Sequence, residues 1–171
     1  SSGIYTEGAI MIGTMDIFTS IASPKEDNYV IFDNVRVVGL AANDAPVLTF
    51  GEGDKNFTEG TLAVMIDALP NVSDLDSTNF DTGTLTITIS ANPSADDRVE
   101  LLNTGMGAGQ IGVAGSTVSF EGTAIGTISA SQNGVSGVNL QITWNASATD
   151  QSIERVIENL TYRNASDGPN A

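Results

Sequence analysis

The residues Thr84-Leu85-Thr86-Ile87-Thr88-Ile89 alternate hydroxyl and apolar side chains without a break. In an extended chain successive side chains point to opposite faces, so Leu85, Ile87 and Ile89 share one face and three threonines the other. A helix would scatter the same residues around its girth. The segment therefore reads as a strand with one buried and one wet face, and the chain must build a sheet against a core. Val138, Leu140, Ile142 and Trp144 repeat the period. They are expected to supply the inward side chains of a second sheet packed on the first.

Other short β-rich runs lie between Gly, Asn, Asp and Ser clusters: Pro46–Phe50, Ala63–Ile66, Gly83–Ser90, Arg98–Leu102, Ile111–Val113, Thr117–Phe120, Thr123–Ala130 and Gly137–Trp144. Ala9–Met15 and Tyr29–Val38 precede them. Strands at this spacing predict an all-β sandwich. One segment departs from it: Ile153, Val156, Ile157 and Leu160 fall at helical spacing. They predict one short helix from Asp150 to Leu160 that bridges two strands, with Thr149 or Asp150 as N-cap and a polar face of Asp150, Glu154, Arg155 and Glu158.

The stretch Ala41-Ala42-Asn43-Asp44-Ala45-Pro46 is small, polar and stopped by proline, as linkers are. It divides the chain into residues 1–42 and 43–171. The first piece holds only two convincing strands, which are marginal alone in water, so it is expected to pack on something else.

Charge narrows the function. The 171 residues carry 21 acids against 6 bases, a net charge of -15, yet charged residues are only 16% of the chain, below the usual share of about 25%. Lys25, Arg36, Lys55, Arg98, Arg155 and Arg163 form no basic patch, which argues against nucleic acid and anionic lipid as partners. No apolar run approaches the roughly 18 to 20 residues of a membrane span, so membrane insertion is not expected. The opening SSGIYTEG lacks the features of a signal peptide, and an exported protein would carry its signal outside this sequence. With neither cysteine nor histidine, the chain has no disulfide framework, no thiolate chemistry and no histidine base or ligand.

Asp74, Asp76 and Asp81 crowd into eight residues, and Lys55 and Arg98 are the nearest cations in sequence. Three explanations are open. Paired acids can hydrolyse glycosides. Asp side chains also shape turns by bonding nearby backbone. A calcium ion, taking about 6 to 8 oxygens, would cancel their repulsion. The pattern is not an EF-hand, because Asp74-Leu75-Asp76-Ser77 is followed by neither the loop glycine nor its bidentate glutamate. Ligands gathered from separate loops of a sandwich are the alternative, and Asn43-Asp44, Glu59-Gly60, Asp74 with Asp76, and Asp96-Asp97 offer them.

Asn43-Asp44-Ala45-Pro46-Val47, Thr58-Glu59-Gly60, Val72-Ser73-Asp74-Leu75-Asp76-Ser77, Phe80-Asp81-Thr82-Gly83-Thr84-Leu85, Ala95-Asp96-Asp97-Arg98, the stretch from Gln110 to Ser116 and the stretch from Leu160 to Asp167 occur in this order. Together they resemble the cadherin-like repeats of large bacterial surface proteins and adhesins, over about residues 43 to 171. The resemblance implies an immunoglobulin-like β-sandwich repeated in tandem, with calcium at the junction between domains held by Asn43, Asp44, Glu59, Asp74 and Asp76. It leaves Asp81, Asp96 and Asp97 as turn residues. It also implies an extracellular or cell-surface location and a non-enzymatic spacer or adhesion role, with neighbouring repeats or identical subunits as partners.

The segments Met11–Phe18 and Asn28–Val38, with Phe32-Asp33-Asn34-Val35 at their centre, resemble the last two strands of a concanavalin A- or LamG-like jelly roll. That makes a carbohydrate-binding module with glycan partners one alternative. Such repeats usually end with one more strand after the Asn-Ala-Ser-Asp turn, so the chain is expected to be a piece of a longer protein. Strand donation, which would make it a filament subunit, is the other alternative.

Smaller motifs have plainer readings. Gly105-Met-Gly-Ala-Gly-Gln-Ile-Gly112 precedes a strand and not a helix, so it is a turn and not a phosphate cradle. Trp144 is expected to anchor the core, its ordinary role, and not to stack on sugars. N-x-[ST] sequons occur at Asn56, Asn71, Asn145, Asn159 and Asn164, acceptors only where a host modifies them.

Overall fold

A computed structural model describes residues 44–58 and 61–166 of the chain. The strands expected at Ala9–Met15 and Tyr29–Val38 lie outside the described residues. From Asn43 to Ala171 the chain forms one compact unit. Its described elements are β1 (Val47–Thr49), β2 (Val64–Met65), β3 (Asn71–Ser73), β4 (Thr84–Ile87), β5 (Asp97–Leu101), β6 (Ile111–Ala114), β7 (Thr117–Phe120), β8 (Thr123–Asn133), β9 (Leu140–Trp144), α1 (Asp150–Glu158) and β10 (Leu160–Asn164). Among the described residues the expected all-β fold with one short helix is what forms.

Five strands make the larger sheet, in the order β4-β9-β8-β7-β6, and every pair is antiparallel. Here one expectation is corrected. The two alternating segments do not lie in facing sheets; β4 and β9 are neighbours in this one, with Leu85 opposite Ile142 and Ile87 opposite Leu140. Alternation reports which face of a strand is buried, and adjacent strands of one sheet bury the same face. Val138 lies before β9 and is 39% exposed.

The opposite layer holds β2-β10-β5, beside the small β1-β3 ribbon. Strand β10, which was not foreseen as a strand, is central: Tyr162 pairs with Val64 on one side and Val99 on the other. Strand β3 was also unforeseen. The two layers are joined past the end of β8, where the Val99 amide donates to the Gly134 carbonyl at 2.9 Å and Val135 bridges Arg98. Only glycine fits at position 134, because its φ is +76° and a Cβ there would lie 2.0 Å from the Val99 carbonyl oxygen.

Helix α1 starts where the sequence indicates. Thr149 is its N-cap, and its hydroxyl accepts from the Ser152 amide while Ser152 Oγ accepts from the Thr149 amide at 2.8 Å, closing a capping box. It ends earlier than expected, at Glu158, because Asn159 caps it and donates its side-chain amide to the Arg155 carbonyl. Leu160, read as the last helical residue, instead opens β10. Ile153, Val156 and Ile157 enter the core all the same.

That core is one cluster drawn from both layers and the helix. Ile111, Val118, Ile125, Leu140, Ile142 and Trp144 come from the five-stranded sheet, Val99 and Leu160 from the other, and Val72 from the ribbon. Trp144, 5% exposed, is a core anchor as expected. Burying each large apolar side chain contributes about 1.5 to 3 kcal/mol. Among the described residues no helix is long and apolar enough to cross a membrane.

Candidate functional site

The acid excess is answered mainly by the backbone. Among the described residues, seven carboxylates accept from main-chain amides: Glu52, Asp67, Asp74, Asp76, Asp97, Glu121 and Glu154. An amide dipole aimed at a carboxylate stabilises its charge much as a cation does, without a lysine or arginine. A chain with few basic residues can in this way carry many acids on its turns.

Of the five residues assigned to calcium, Asn43 and Glu59 lie outside the described residues. The other three are close in the fold, 32 residues apart in sequence at the widest. The Asp44 backbone amide donates to Asp76 Oδ2 at 2.9 Å, which ties the linker to the Asp74-Leu75-Asp76 turn. Asp74 Oδ1 accepts from the amides of Asp76 at 3.3 Å and Ser77 at 3.2 Å, an Asx turn that fixes the loop. Among the described residues no three carboxylates stand close enough together to form a metal cluster. Asp44, Asp74 and Asp76 alone therefore fall short of a full calcium shell, which needs oxygens from Asn43, Glu59 or backbone carbonyls as well.

Asp81 and Asp96 sit in turns, as expected. Asp97 does not: it opens β5 and is only 3% exposed. Its Oδ1 accepts from the Tyr162 hydroxyl and the Asn164 side-chain amide, each at 2.7 Å, and its Oδ2 accepts from the Ser94 amide at 2.7 Å. Burial is the largest single influence and disfavours the charge. The hydrogen bonds from Ser94, Tyr162 and Asn164 together outweigh it and hold the carboxyl below its usual range. Burial, then the Asp97 carboxylate, push the Tyr162 phenol above its ordinary value. The network locks β5 to β10 from within, so it is structural.

Asp67 was missed. It is 2% exposed and binds the Gly51 amide at 3.0 Å and the Leu69 amide at 2.7 Å. Beside it Glu52 accepts from the Ala68 amide at 2.8 Å and pairs with Lys55 at 2.9 Å. The Lys55 hydrogen bond, then the Ala68 amide, lower the Glu52 pKa. The available signal was an acid set among apolar residues, Met65-Ile66-Asp67-Ala68-Leu69. These two carboxylates staple the loop after β1 to the loop after β2.

The stapled loop walls a cleft of about 550 Å³ lined by Phe50, Phe57, Val64, Ile66 and Tyr162, with Glu52 and Asp67 at its polar side. The Phe57 and Tyr162 rings meet edge to face at 5.3 Å. Phe50 is 63% exposed. Open aromatic faces beside carboxylates suit a ligand with one apolar face and hydroxyl donors. Comparison of the chain with models of protein families, with curated proteins and with solved structures finds no match.

Proposed function

We propose that the unit beginning at Asn43 is a cadherin-like, immunoglobulin-type repeat that serves as a non-enzymatic spacer or adhesion segment of an extracellular surface protein. In this reading calcium binds at its acidic pole and stiffens the junction with whatever precedes it in sequence. The observation that carries the reading is the 2.9 Å bond from the Asp44 amide to Asp76. It brings together the linker and the Asp-x-Asp turn, the two segments to which the resemblance gives ligand roles. Asn43 and Glu59 complete the proposed donor set. Bound calcium would offset the repulsion of the clustered acids and restrict the linker.

Thermal unfolding of the chain in excess calcium and in chelator tests this. A ligand that binds only the folded state at 100 times its dissociation constant adds about 2.7 kcal/mol, so calcium is expected to raise the melting temperature by several degrees. Identical transitions with calcium and with chelator would remove the junction role. The aromatic cleft favours sugar binding as a second reading.

A further inference from the structure

The five N-x-[ST] sequons are equivalent in the sequence and unequal in the fold. N-glycosylation consumes the asparagine amide nitrogen, so an acceptor must present that nitrogen to a transferase. Four of the five have it engaged. The Asn71 amide, in the β1-β3 ribbon, donates to Glu154 of α1 at 3.4 Å, Asn145 to the Ala124 carbonyl, Asn159 to the Arg155 carbonyl as the cap of α1, and Asn164 to Asp97 and Ser94. Asn164 Oδ1 also accepts from the amide and hydroxyl of Ser166, the sequon's own serine. Asn145 Oδ1 likewise takes the Ser147 amide.

Asn56 makes no such bond. Like Asn71 it is exposed, but its side chain has no hydrogen-bond partner among the described residues. It lies between β1 and β2, outside any strand or helix, and Thr58, which supplies the sequon hydroxyl, is exposed as well. Phe57 between them turns inward against Tyr162, so the loop is anchored through its middle residue while both acceptor groups face water. The Asp54-Lys55-Asn56-Phe57-Thr58 sequon alone has an acid two residues ahead of its asparagine; Leu69, Thr143, Ile157 and Tyr162 hold that place in the others. A transferase that grips acceptors through a basic pocket would select it further.

We propose that Asn56 is the N-glycan acceptor of the folded protein and that the other four sequons are closed to modification. The donor class is an oligosaccharide on a polyisoprenyl diphosphate. The Asn56 amide nitrogen bonds to the anomeric carbon as the bond from that carbon to the phosphate oxygen breaks. The amide proton passes to a base of the transferase, and the polyisoprenyl diphosphate leaves.

The test incubates the folded 171-residue chain with a bacterial oligosaccharyltransferase and a lipid-linked oligosaccharide, read by intact mass and peptide mapping. One glycan is expected, on the peptide containing Asn56. Asn56→Gln and Thr58→Ala should each abolish it, whereas Asn145→Gln should leave it unchanged. A glycan on any other sequon would overturn the proposal. So would an unmodified chain in a reaction that modifies a free Asp54–Thr58 peptide.

Discussion

Replacing Asp97 by asparagine tests the internal lock between β5 and β10. The substitution keeps the side-chain shape but removes the charge and converts one oxygen into a donor. Oδ1 and Oδ2 together accept from three donors, the Ser94 amide, the Tyr162 hydroxyl and the Asn164 amide, at 2.7 Å each. In either amide orientation the new NH₂ group faces a donor, so at least one bond is lost and its half-buried partner is left unpaired. Hydrogen bonds to charged groups contribute about 1.5 to 3 kcal/mol each, and relief of burying a charge returns part of that. The expected net loss is about 2 kcal/mol at neutral pH.

The pH dependence supplies an internal check. The folded-state pKa of Asp97 is depressed, so its contribution is fully present above the unfolded carboxylate value near 4 and is lost as pH falls through the lower folded value. Denaturant unfolding of wild type and Asp97→Asn should therefore show a constant gap from about pH 5 upward and a narrowing gap below about pH 4. A gap under about 0.5 kcal/mol at pH 7, within the range of ordinary surface substitutions, or one that stays constant down to pH 2, would refute the argument.

Gly126→Ala should cost about 1 to 3 kcal/mol in denaturant unfolding, because a Cβ there would lie 2.8 Å from both the Thr143 carbonyl oxygen and Trp144 Cε3. A change in Trp144 fluorescence should accompany it, and an unaltered spectrum with full stability would show that the sheet yields at that point. Phe50→Ala should leave stability nearly intact, since the ring is 63% exposed. Any glycan-array signal of the parent chain should disappear with it, and a signal that survives would place sugar binding elsewhere than the cleft.

Local pattern was enough to fix the elements whose neighbours in sequence determine them. Leu85 and Ile87 had to share a buried face because a strand repeats every two residues, and Ile153, Val156 and Ile157 had to share another because a helix repeats every 3.6. The cap was legible to within one residue, Thr149 or Asp150, for the same reason: the partner of Thr149, Ser152, is three residues away. Of the candidate site, the Asp-x-Asp turn was legible, and its Asx geometry is local too.

What sequence left undecided was pairing at a distance. Nothing in the alternation of β4 and β9 tells whether they face each other across a core or lie side by side, and the tertiary structure set Leu85 opposite Ile142. Asp97 looked like one more turn acid because its partners Tyr162 and Asn164 lie more than 60 residues on. The same holds for Leu160, which carries the helical period but is claimed by the ladder to Leu101. A carboxylate's role depends on which donors the fold brings to it, and that is a property of the packed chain.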